Sequence, residues 1–513
     1  MSNTLITLHS YLCDRWQAGE APQTQLFDPA TGAAIAQTSS KGLDLRAALH
    51  HGRTVGGPAL RAMTFAQRGE LLGKLSASLV THRDELLDVA RANMGANRSD
   101  GKFDVDGASG TLATYAKLGS QLGDKTTLHD GDQLQFSRSK RFVAQHVWSP
   151  RHGVAVHINA FNFPAWNRCE KIAVALLAGV PVLAKPGTAT AWLSVRIVEL
   201  WVQEGLLPPG TVQLLVGSAG DLLDHVGPQD AIVFTGSGST AQQIRSHPAV
   251  LKWNVPVNIE ADSLNACVLG PDVQPGCDTW TMFLAEVVRE MTQKAGQKCT
   301  AIRRIVVPKA LLAEVKDELV ARLHDLQVGD PANDRSQVGP LAGPTQQRDV
   351  LAGLAELNRH ASLIWQGTAP AQGCYAPPSL YQSDAGVDAE FINDHEVFGP
   401  VATLLPVDGD PAEVVAVVAR GGGSLVCSVF SDDLDWCRQV VPAIAPHTGR
   451  IYWGSAKVFD QGVGHGAVMP SLVHGGPGKA GGGEELGGER GLRFYWQRTA
   501  IQGDTQLLRA LFG

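Results

Sequence analysis

Cys299 is the residue of this chain best suited to covalent chemistry. It lies in the segment Gly296–Thr300, in a turn between an expected helix over 279–294 and an expected strand over 303–307. A side chain in such a turn can reach a cleft, and cysteine is the strongest side-chain nucleophile near neutral pH because part of it is already thiolate. A lone cysteine is more often a small buried apolar residue, so the motif alone indicates only a candidate nucleophile.

Three further polar side chains stand where catalysis or binding needs them. Asn162 follows a strand and precedes a helix, so its amide is expected either to donate into a cleft or to cap the helix. Glu260 ends an apolar strand, and a carboxylate there is either a partnered structural charge or a general base. Asp262 is the competing candidate for that base. Glu396 is expected to be a turn residue or an acceptor for a hydroxyl group.

Two loops carry small residues directly after strands. Lys185 and Gly187 follow one strand, and Gly236 and Ser237 follow another. Backbone N–H groups and a helix N-terminus at such places can hold phosphate. The second loop fits G-x-G-x-x-A, which is weak because glycines also serve plain turns and because this loop falls late in the sheet. Together the two loops favour a dinucleotide site.

The elements that position these side chains alternate between strand and helix. From residue 151 we expect strands over 153–158, 180–184, 212–216 and 231–235, with helices over 164–178, 189–203 and 221–226. This alternation predicts a parallel doubly wound sheet, covered on both faces, that binds ligands at the carboxyl ends of its strands. A second alternation, from 266 to beyond 400, predicts a second α/β domain.

Other stretches follow different patterns. Leucines at helical spacing predict helices over 58–95, and the alternation over 129–150 predicts a strand ribbon. The region 454–491 is glycine-rich and loop-like, but a flexible linker is not expected there, because the apolar and aromatic segment 494–496 that follows it is expected to be structured. Within the glycine-rich region, His474 and Lys479 are candidates for contacts to the phosphate groups of a ligand, with a solvated loop as the favoured alternative.

Composition sets bounds on the function. A chain of 513 residues predicts two or three domains, and a net charge of −7 gives no reason to expect nucleic acid or an anionic membrane as partner. The eight cysteines form no CxxC pair, so neither a metal site nor a disulfide framework is expected. The N-terminus has no signal-peptide pattern, and no apolar run is long enough to span a bilayer. We therefore expect a cytoplasmic enzyme.

Seven stretches, in this order, resemble the aldehyde dehydrogenase superfamily. They are FNFPAW (161–166), AKPGTAT (184–190), FTGS (234–237), IEADS (259–263), GQKCT (296–300), EVFGP (396–400) and GGGEELGG (481–488). The resemblance implies an α/β fold with two doubly wound Rossmann-type domains and a β-ribbon oligomerisation arm. The implied parts are a cofactor domain (1–128 and 149–262), a catalytic domain (263–484) and an oligomerisation segment (129–148 and 485–513). A homodimer is the expected basic unit.

The resemblance also implies catalytic roles. Cys299 corresponds to the nucleophile that attacks an aldehyde carbon, while the Asn162 side chain and the Cys299 backbone N–H hold the oxyanion. Glu260 corresponds to the base that activates water to hydrolyse the resulting thioester. Lys171 and Glu485 correspond to a proton relay from that base.

The implied cofactor residues lie mostly in loops after strands. They are Ile158, Asn159, Lys185, Gly187, Thr188, Gly236, Ser237, Glu396 and Phe398. Lys185 corresponds to the ligand of the adenosine ribose or its phosphate, Glu396 to that of the nicotinamide ribose, and Phe398 to the aromatic near the nicotinamide. NAD-preferring members often have glutamate where this chain has Thr188. A small neutral residue leaves room for a 2′-phosphate, so NADP is expected, with NAD as the weaker alternative.

Details of the motifs resemble one branch of the superfamily. The stretches GGPGKAGGGEELGG and IEADSLN are similar to those of enzymes that oxidise semialdehydes of coenzyme A thioesters in phenylacetate and benzoate degradation. A chain that ends at Gly513, with no fused domain, favours the stand-alone benzoate type. The alternatives are an acylating enzyme that uses free coenzyme A, which Glu260 argues against, and a general aliphatic aldehyde dehydrogenase. A non-catalytic binding protein would need none of Cys299, Asn162 and Glu260.

Overall fold

Two seven-stranded sheets form the framework of the computed structural model, which describes residues 5–512. The first sheet has five parallel strands extended at one side by two antiparallel ones. In spatial order its strands are Val257–Glu260, Ala231–Thr235, Ala155–Ile158, Val182–Lys185, Val212–Leu214, Ser10–Leu12 and Arg15–Gln17. The predicted parallel sheet is therefore confirmed.

The second sheet is parallel except at one edge, where the first two strands pair antiparallel. In spatial order its strands are Ser362–Gln366, Ser379–Gln382, Val401–Val407, Arg304–Pro308, Ala266–Leu269, Ser424–Phe430 and Thr448–Gly454. Its five inner strands are buried along most of their length, which is why they are nearly continuous apolar runs, whereas the edge strands Ser362–Gln366 and Thr448–Gly454 are more exposed. The predicted second α/β unit is present.

Helices cover these sheets. The longer ones span Phe65–Thr81, Arg83–Met94, Arg98–Leu122, Trp166–Ala178, Ala191–Gln203, Gly238–Arg245, Asp278–Thr292, Leu312–His324, Pro344–His360, Pro411–Arg420, Leu434–Ile444 and Thr505–Phe512. Shorter ones span Leu45–His51, Gly57–Arg61, Pro248–Trp253, Glu390–Asp394 and Glu489–Leu492. The expected helix over 221–226 is only a 3₁₀ turn, Leu222–His225. Among residues 5–512, no helix is both long and apolar enough to cross a bilayer.

Local signals explain the helices nearest the site. The helix Phe65–Thr81 begins at a capping box between Thr64 and Gln67, and it buries leucines at helical spacing. The helix Trp166–Ala178 is buried at every residue. Its first turn is held by the Asp104 carboxylate, which accepts the Trp166 N–H at 2.7 Å.

The predicted strand ribbon is present and has a partner from the end of the chain. The strand Phe142–Pro150 pairs over its whole length with Trp496–Asp504, and it also pairs with Leu128–His129 and Leu134–Gln135. Smaller sheets join Ile6–Leu8, Ala34–Thr38 and Thr24–Phe27, and Val473–Gly475 with Glu484–Leu486.

The glycine-rich region is packed against the first sheet, so the prediction of a loop-like region over 454–491 was wrong for its second half. The Gly483 N–H donates to the Ile259 carbonyl, and the Ala261 N–H donates to the Ala480 carbonyl, each at 3.1 Å. A Cβ at Gly481 or Gly483 would stand 2.3 or 2.4 Å from the Ile259 oxygen. Glycine is needed there because the strand that ends at Glu260 passes so close.

Candidate active site

Four strands of the first sheet end at the same edge. Ile158, Lys185, Thr235 and Glu260 are the last residues of their strands, and the register aligns Lys185 and Ile158 as partners and Thr235 and Glu260 as partners. The strand Ala155–Ile158 has neighbours on both sides that come later in the sequence. Such a switch point opens a crevice at the carboxyl ends of the strands, and the loops predicted to bind a cofactor begin there.

Cys299 reaches this edge from the second sheet through an unusual turn. After the helix Asp278–Thr292, the residues Lys294, Ala295 and Gly296 take left-handed backbone angles, with φ of 54°, 52° and 68°. Each non-glycine residue in that region costs about 1–2 kcal/mol, so the surroundings must hold the turn in place. The turn leaves Cys299 half-buried between the sheets.

Buried side chains hold the backbone around Cys299. The Asn265 amide donates to the Cys299 carbonyl at 2.8 Å and to the Ala301 carbonyl at 2.9 Å. His465 Nε2 bonds the Thr300 carbonyl at 2.7 Å, and its Nδ1 contacts the Ser428 hydroxyl. Burial lowers the pKa of His465 to about 3, so the ring is neutral and donates through Nε2.

The Cys299 thiol lies beside the Glu260 carboxylate. The Cys299 sulfur, a Glu260 oxygen and a ring nitrogen of His474 all lie within 4.8 Å of one another. Burial, and then the negative charge of Glu260, raise the pKa of Cys299 well above its usual value. The resting thiol is therefore protonated, and a base must act before it can attack.

Behind Glu260 lies a buried cluster of charges. Glu170, Glu260 and Glu485 have carboxylate oxygens within 4.8 Å of one another. Lys171 Nζ lies 2.9 Å from Glu485 and 3.3 Å from Glu170. Burial raises the pKa of Glu170 and Glu485, while those two carboxylates raise the pKa of Lys171 despite its burial. The lysine is thus protonated, and the cluster is a place where a proton can be held or passed on.

Asn162 lies on the other side of the Cys299 loop. Its Nδ2 donates to the Gln297 carbonyl at 3.0 Å, and Asn162 and Cys299 line the same cavity. A side-chain amide carries two N–H bonds, so one remains for another acceptor. The Cys299 backbone N–H donates to no group among residues 5–512. Two N–H groups are therefore available beside the thiol.

The cavity in front of the thiol has an apolar wall. Phe103, Phe163, Trp166 and Val468 line it, together with polar residues near Glu260. The rings of Phe103 and Trp166 meet edge to face, with centroids 5.1 Å apart. Such packed rings make a rigid surface for an apolar chain.

The residues expected to contact the adenosine half of the cofactor lie at or just after the ends of the strands Ala155–Ile158 and Val182–Lys185. Lys185 is half-buried, burial lowers its pKa, and its ammonium forms no ion pair with any residue in 5–512. The Thr188 hydroxyl donates to the Gly217 carbonyl at 3.1 Å. A Cβ at Gly187 would stand 2.8 Å from the Phe161 backbone. Asn159 donates its N–H to the Lys185 carbonyl at 2.9 Å, and its amide is buried without a partner in the described chain.

The second phosphate loop is tied to the Glu260 strand. The Gly236 N–H donates to the Glu260 carbonyl at 3.1 Å, and Ser237 caps the helix Gly238–Arg245. Asp262 Oδ1 accepts the Gly238 N–H at 3.1 Å. The competing base candidate thus contacts the loop, whereas Glu260 lies beside the thiol.

The residues expected to contact the nicotinamide half of the cofactor, Glu396 and Phe398, both lie against Arg303. Glu396 accepts from Arg303 Nε and from the Ser263 N–H, both at 3.0 Å. The Phe398 ring lies 5.9 Å from that of Phe161 and 5.4 Å from the Arg303 guanidinium. Both Glu396 oxygens already have donors, so a ribose hydroxyl would share this carboxylate with Arg303 and Ser263.

Two residues that the sequence analysis did not place in the catalytic centre are in it. Glu170 precedes Lys171, and that pair of adjacent opposite charges within an expected helix was the available signal. His474 is buried against Glu260 rather than exposed, so both earlier interpretations of it, a phosphate contact and a solvated loop, were wrong. Lys479 is paired with Asp394 at 2.7 Å.

Comparisons with known proteins agree with this geometry. Residues 16–501 match the aldehyde dehydrogenase family. The chain is 43% identical over 478 residues to a 3,4-dehydroadipyl-CoA semialdehyde dehydrogenase of Aromatoleum evansii, covering 92% of this chain and 93% of the relative. It is 26% identical over 413 residues to an alpha-ketoglutaric semialdehyde dehydrogenase of Bacillus subtilis strain 168, covering 78% and 80%. The NAD+ complex of an aldehyde dehydrogenase from Bacillus cereus shares the fold, with a TM-score of 0.85 at 20% identity and 97% of each chain covered.

Proposed function

The chain belongs to the aldehyde dehydrogenase family and is an aldehyde-oxidising, nicotinamide-dependent oxidoreductase, and we propose that it converts 3,4-dehydroadipyl-CoA semialdehyde to 3,4-dehydroadipyl-CoA with NADP. The observation that carries this proposal is a single arrangement. A thiol, a buried carboxylate and two available N–H groups meet at one cavity, at the edge where the cofactor loops begin.

The first half-reaction uses Cys299 and Asn162. The Cys299 proton passes to Glu260 or water, and the sulfur attacks the aldehyde carbon to form a thiohemiacetal. The free N–H of the Asn162 amide and the Cys299 backbone N–H donate to the oxyanion. The bound nicotinamide cofactor supplies the hydride acceptor, and loss of hydride from the substrate carbon leaves a thioester on Cys299.

The second half-reaction uses Glu260. Its carboxylate takes a proton from water, which attacks the thioester and releases the acid and the free thiol. Lys171 and Glu485, with Glu170 beside them, form a path by which that proton leaves the buried site. A water-activating carboxylate next to the thiol supports hydrolysis over transfer to free coenzyme A.

The choice of NADP rests on the adenosine-side loop. Lys185 has a free ammonium, and Thr188 places no carboxylate beside it. A 2′-phosphate would find an unpaired cation and no repelling charge. Ile158, Asn159, Gly187, Gly236 and Ser237 lie at the same edge of the sheet, and Glu396 and Phe398 lie near the thiol side.

The substrate class rests on the relatives and on the cavity. The relative that is 43% identical carries the name of a coenzyme A semialdehyde dehydrogenase. The aromatic and apolar wall around Cys299 suits the unsaturated carbon chain that would carry the aldehyde group. The nucleotide end of such a substrate would extend out of the cavity.

A homodimer is the proposed assembly, with 129–148 and 485–513 as the oligomerisation segment. Phe136, Leu507 and Leu511 on or beside the ribbon sheet are 68%, 65% and 71% exposed. Large apolar side chains exposed to this degree on a single chain are often covered by a second subunit.

The test compares substrates and two variants. The parent enzyme should reduce NADP with the coenzyme A semialdehyde faster than with hexanal, and it should release the free acid without added coenzyme A. Glu260→Gln should reduce one equivalent of cofactor per site and then stall as a thioester, whereas Cys299→Ala should bind cofactor and reduce none. Turnover by Cys299→Ala, or strict dependence on free coenzyme A, contradicts the proposal.

A further inference from the structure

His474 is a buried histidine that takes no part in the steps described above. It lies in the strand Val473–Gly475, where it faces Glu485 across the antiparallel ladder. Only 4% of its side chain is exposed. Burial of an imidazole away from water is unfavourable unless the ring has a polar partner.

The partner of His474 is the Glu260 carboxylate. His474 Nε2 lies 3.0 Å from Glu260 Oε2, and a ring nitrogen, a carboxylate oxygen and the Cys299 sulfur lie within 4.8 Å of one another. Among residues 5–512, neither Glu260 oxygen receives a hydrogen bond of good geometry. No backbone N–H group of the described chain therefore fixes this carboxylate, and among residues 5–512 His474 is the one side chain able to carry a positive charge that lies within 4.0 Å of it.

The charges around Glu260 show what His474 contributes. The carboxylates of Glu170 and Glu485 and the ammonium of Lys171 share the same buried space. With His474 protonated, two cations oppose three carboxylates; without it, Lys171 alone does so. Burial would raise the pKa of Glu260 and lower that of His474, but the ion pair between them reverses both shifts.

We propose that His474 is a positioning residue for Glu260: its imidazolium keeps the carboxylate ionised beside Cys299 and sets the lower end of the pH range in which the thioester is hydrolysed. This proposal rests on the role of Glu260 as general base proposed above. In His474→Phe, the phenyl ring would fill the space of the imidazole but would carry neither a charge nor a hydrogen-bond donor. In His474→Gln, the side chain would keep a hydrogen-bond donor but would carry no charge.

p-Nitrophenyl acetate tests the role without a cofactor. Attack by the Cys299 sulfur on the ester carbonyl releases p-nitrophenolate and leaves an acetyl thioester, which water then cleaves to acetate and the free thiol. The burst of p-nitrophenolate counts acylated sites, and the steady rate that follows measures thioester hydrolysis. Both are recorded from the lowest pH at which each variant stays folded up to pH 9, and a thermal unfolding midpoint at each pH checks the fold.

His474→Phe should keep its burst of p-nitrophenolate. As the pH falls, its steady rate should begin to drop at a pH about one unit or more above that of the parent. On the acid side its steady rate should therefore be about tenfold lower than that of the parent. His474→Gln should show a shift of the same sign with a plateau rate closer to the parent. The control is His225→Gln, since His225 is a half-buried histidine that pairs with Asp221 instead of Glu260; its acid limb, the fall of the steady rate at low pH, should coincide with that of the parent.

An acid limb that stays in place in both His474 variants overturns the proposal. The glutamine variant keeps the test decisive if the phenylalanine variant fails to fold. Failure of the proposed function has a different signature: Glu260→Gln would then hydrolyse the thioester at the parent rate, whatever the His474 variants do.

Discussion

Gly483→Ala should separate the two half-reactions of this enzyme. A Cβ at Gly483 would stand 2.4 Å from the Ile259 carbonyl oxygen and 2.5 Å from Asn258 Oδ1. Both contacts involve the strand that ends at Glu260, and Glu485 lies two residues further along the displaced segment. Gly483 does not need a left-handed backbone, so its substitution acts through the contact alone.

The size of the effect follows from the distances. Relief of the contact requires a shift of about 1 Å, and a misplacement of that size at an active site costs about 10²-fold in rate. Overpacking of this kind lowers the stability by about 1–3 kcal/mol. Because Glu260 is needed to hydrolyse the thioester, the steady rate should fall about 10²-fold. The single-turnover burst of reduced cofactor should fall much less.

Stopped-flow absorbance of the reduced nicotinamide measures both phases. The control is Gly482→Ala: Gly482 has a φ of 71°, and a Cβ there meets nothing within 4 Å. It should lose about 1–2 kcal/mol of stability from backbone strain and keep a steady rate close to the parent. A Gly483→Ala enzyme with the parent's steady rate would refute the link between this glycine and the position of Glu260.

Four shorter predictions concern the cofactor, the pH and the assembly. Thr188→Glu should shift the NADP/NAD ratio of kcat/KM toward NAD, because the new carboxylate repels a 2′-phosphate near Lys185; an unchanged ratio counts against the proposed preference. Asp262→Asn should tighten NADP binding by about 2–5-fold at low salt and less at high salt, because a carboxylate on the Gly238 N–H repels the pyrophosphate; equal or weaker binding by fluorescence titration rejects this. His465 has a pKa lowered to about 3, so its contribution to stability is present above the unfolded value and is lost as the pH falls from about 6.5 toward 3. The unfolding midpoint of His465→Asn should therefore depend less steeply on pH over that window, and identical slopes would disprove the assignment. Leu511→Asp should halve the mass measured by light scattering, whereas Leu251→Asp, at a site that is 61% exposed on another helix, should not; a dimer that survives Leu511→Asp argues against the ribbon interface.

Much of the framework was predictable because periodicity is a local property. The strands before Lys185 and Glu260 are short apolar runs followed by small residues, and parallel strands bring such ends to one edge. The turn that holds Cys299 was also predictable as a turn. Its left-handed Lys294 and Ala295 were not, since neither residue type favours that backbone.

The glycine-rich region shows where local reasoning fails. Many glycines in a row are typical of a flexible loop, yet here Gly481 and Gly483 make room for the Ile259 carbonyl. That need arises from a strand more than 200 residues earlier in the chain. A pattern read along one segment contains no information on what packs against it.

The sequence by itself determined the chemical types: a thiol in a turn, a carboxylate at a strand end, an amide before a helix and a lysine after a strand. Only the tertiary structure decided their environment. It placed His474 at 3.0 Å from Glu260 and Lys171 between Glu170 and Glu485. The physical reason is that reactivity here depends on charge and burial over a few ångströms, and these groups lie on segments that meet only when the two sheets and the glycine-rich hairpin pack together.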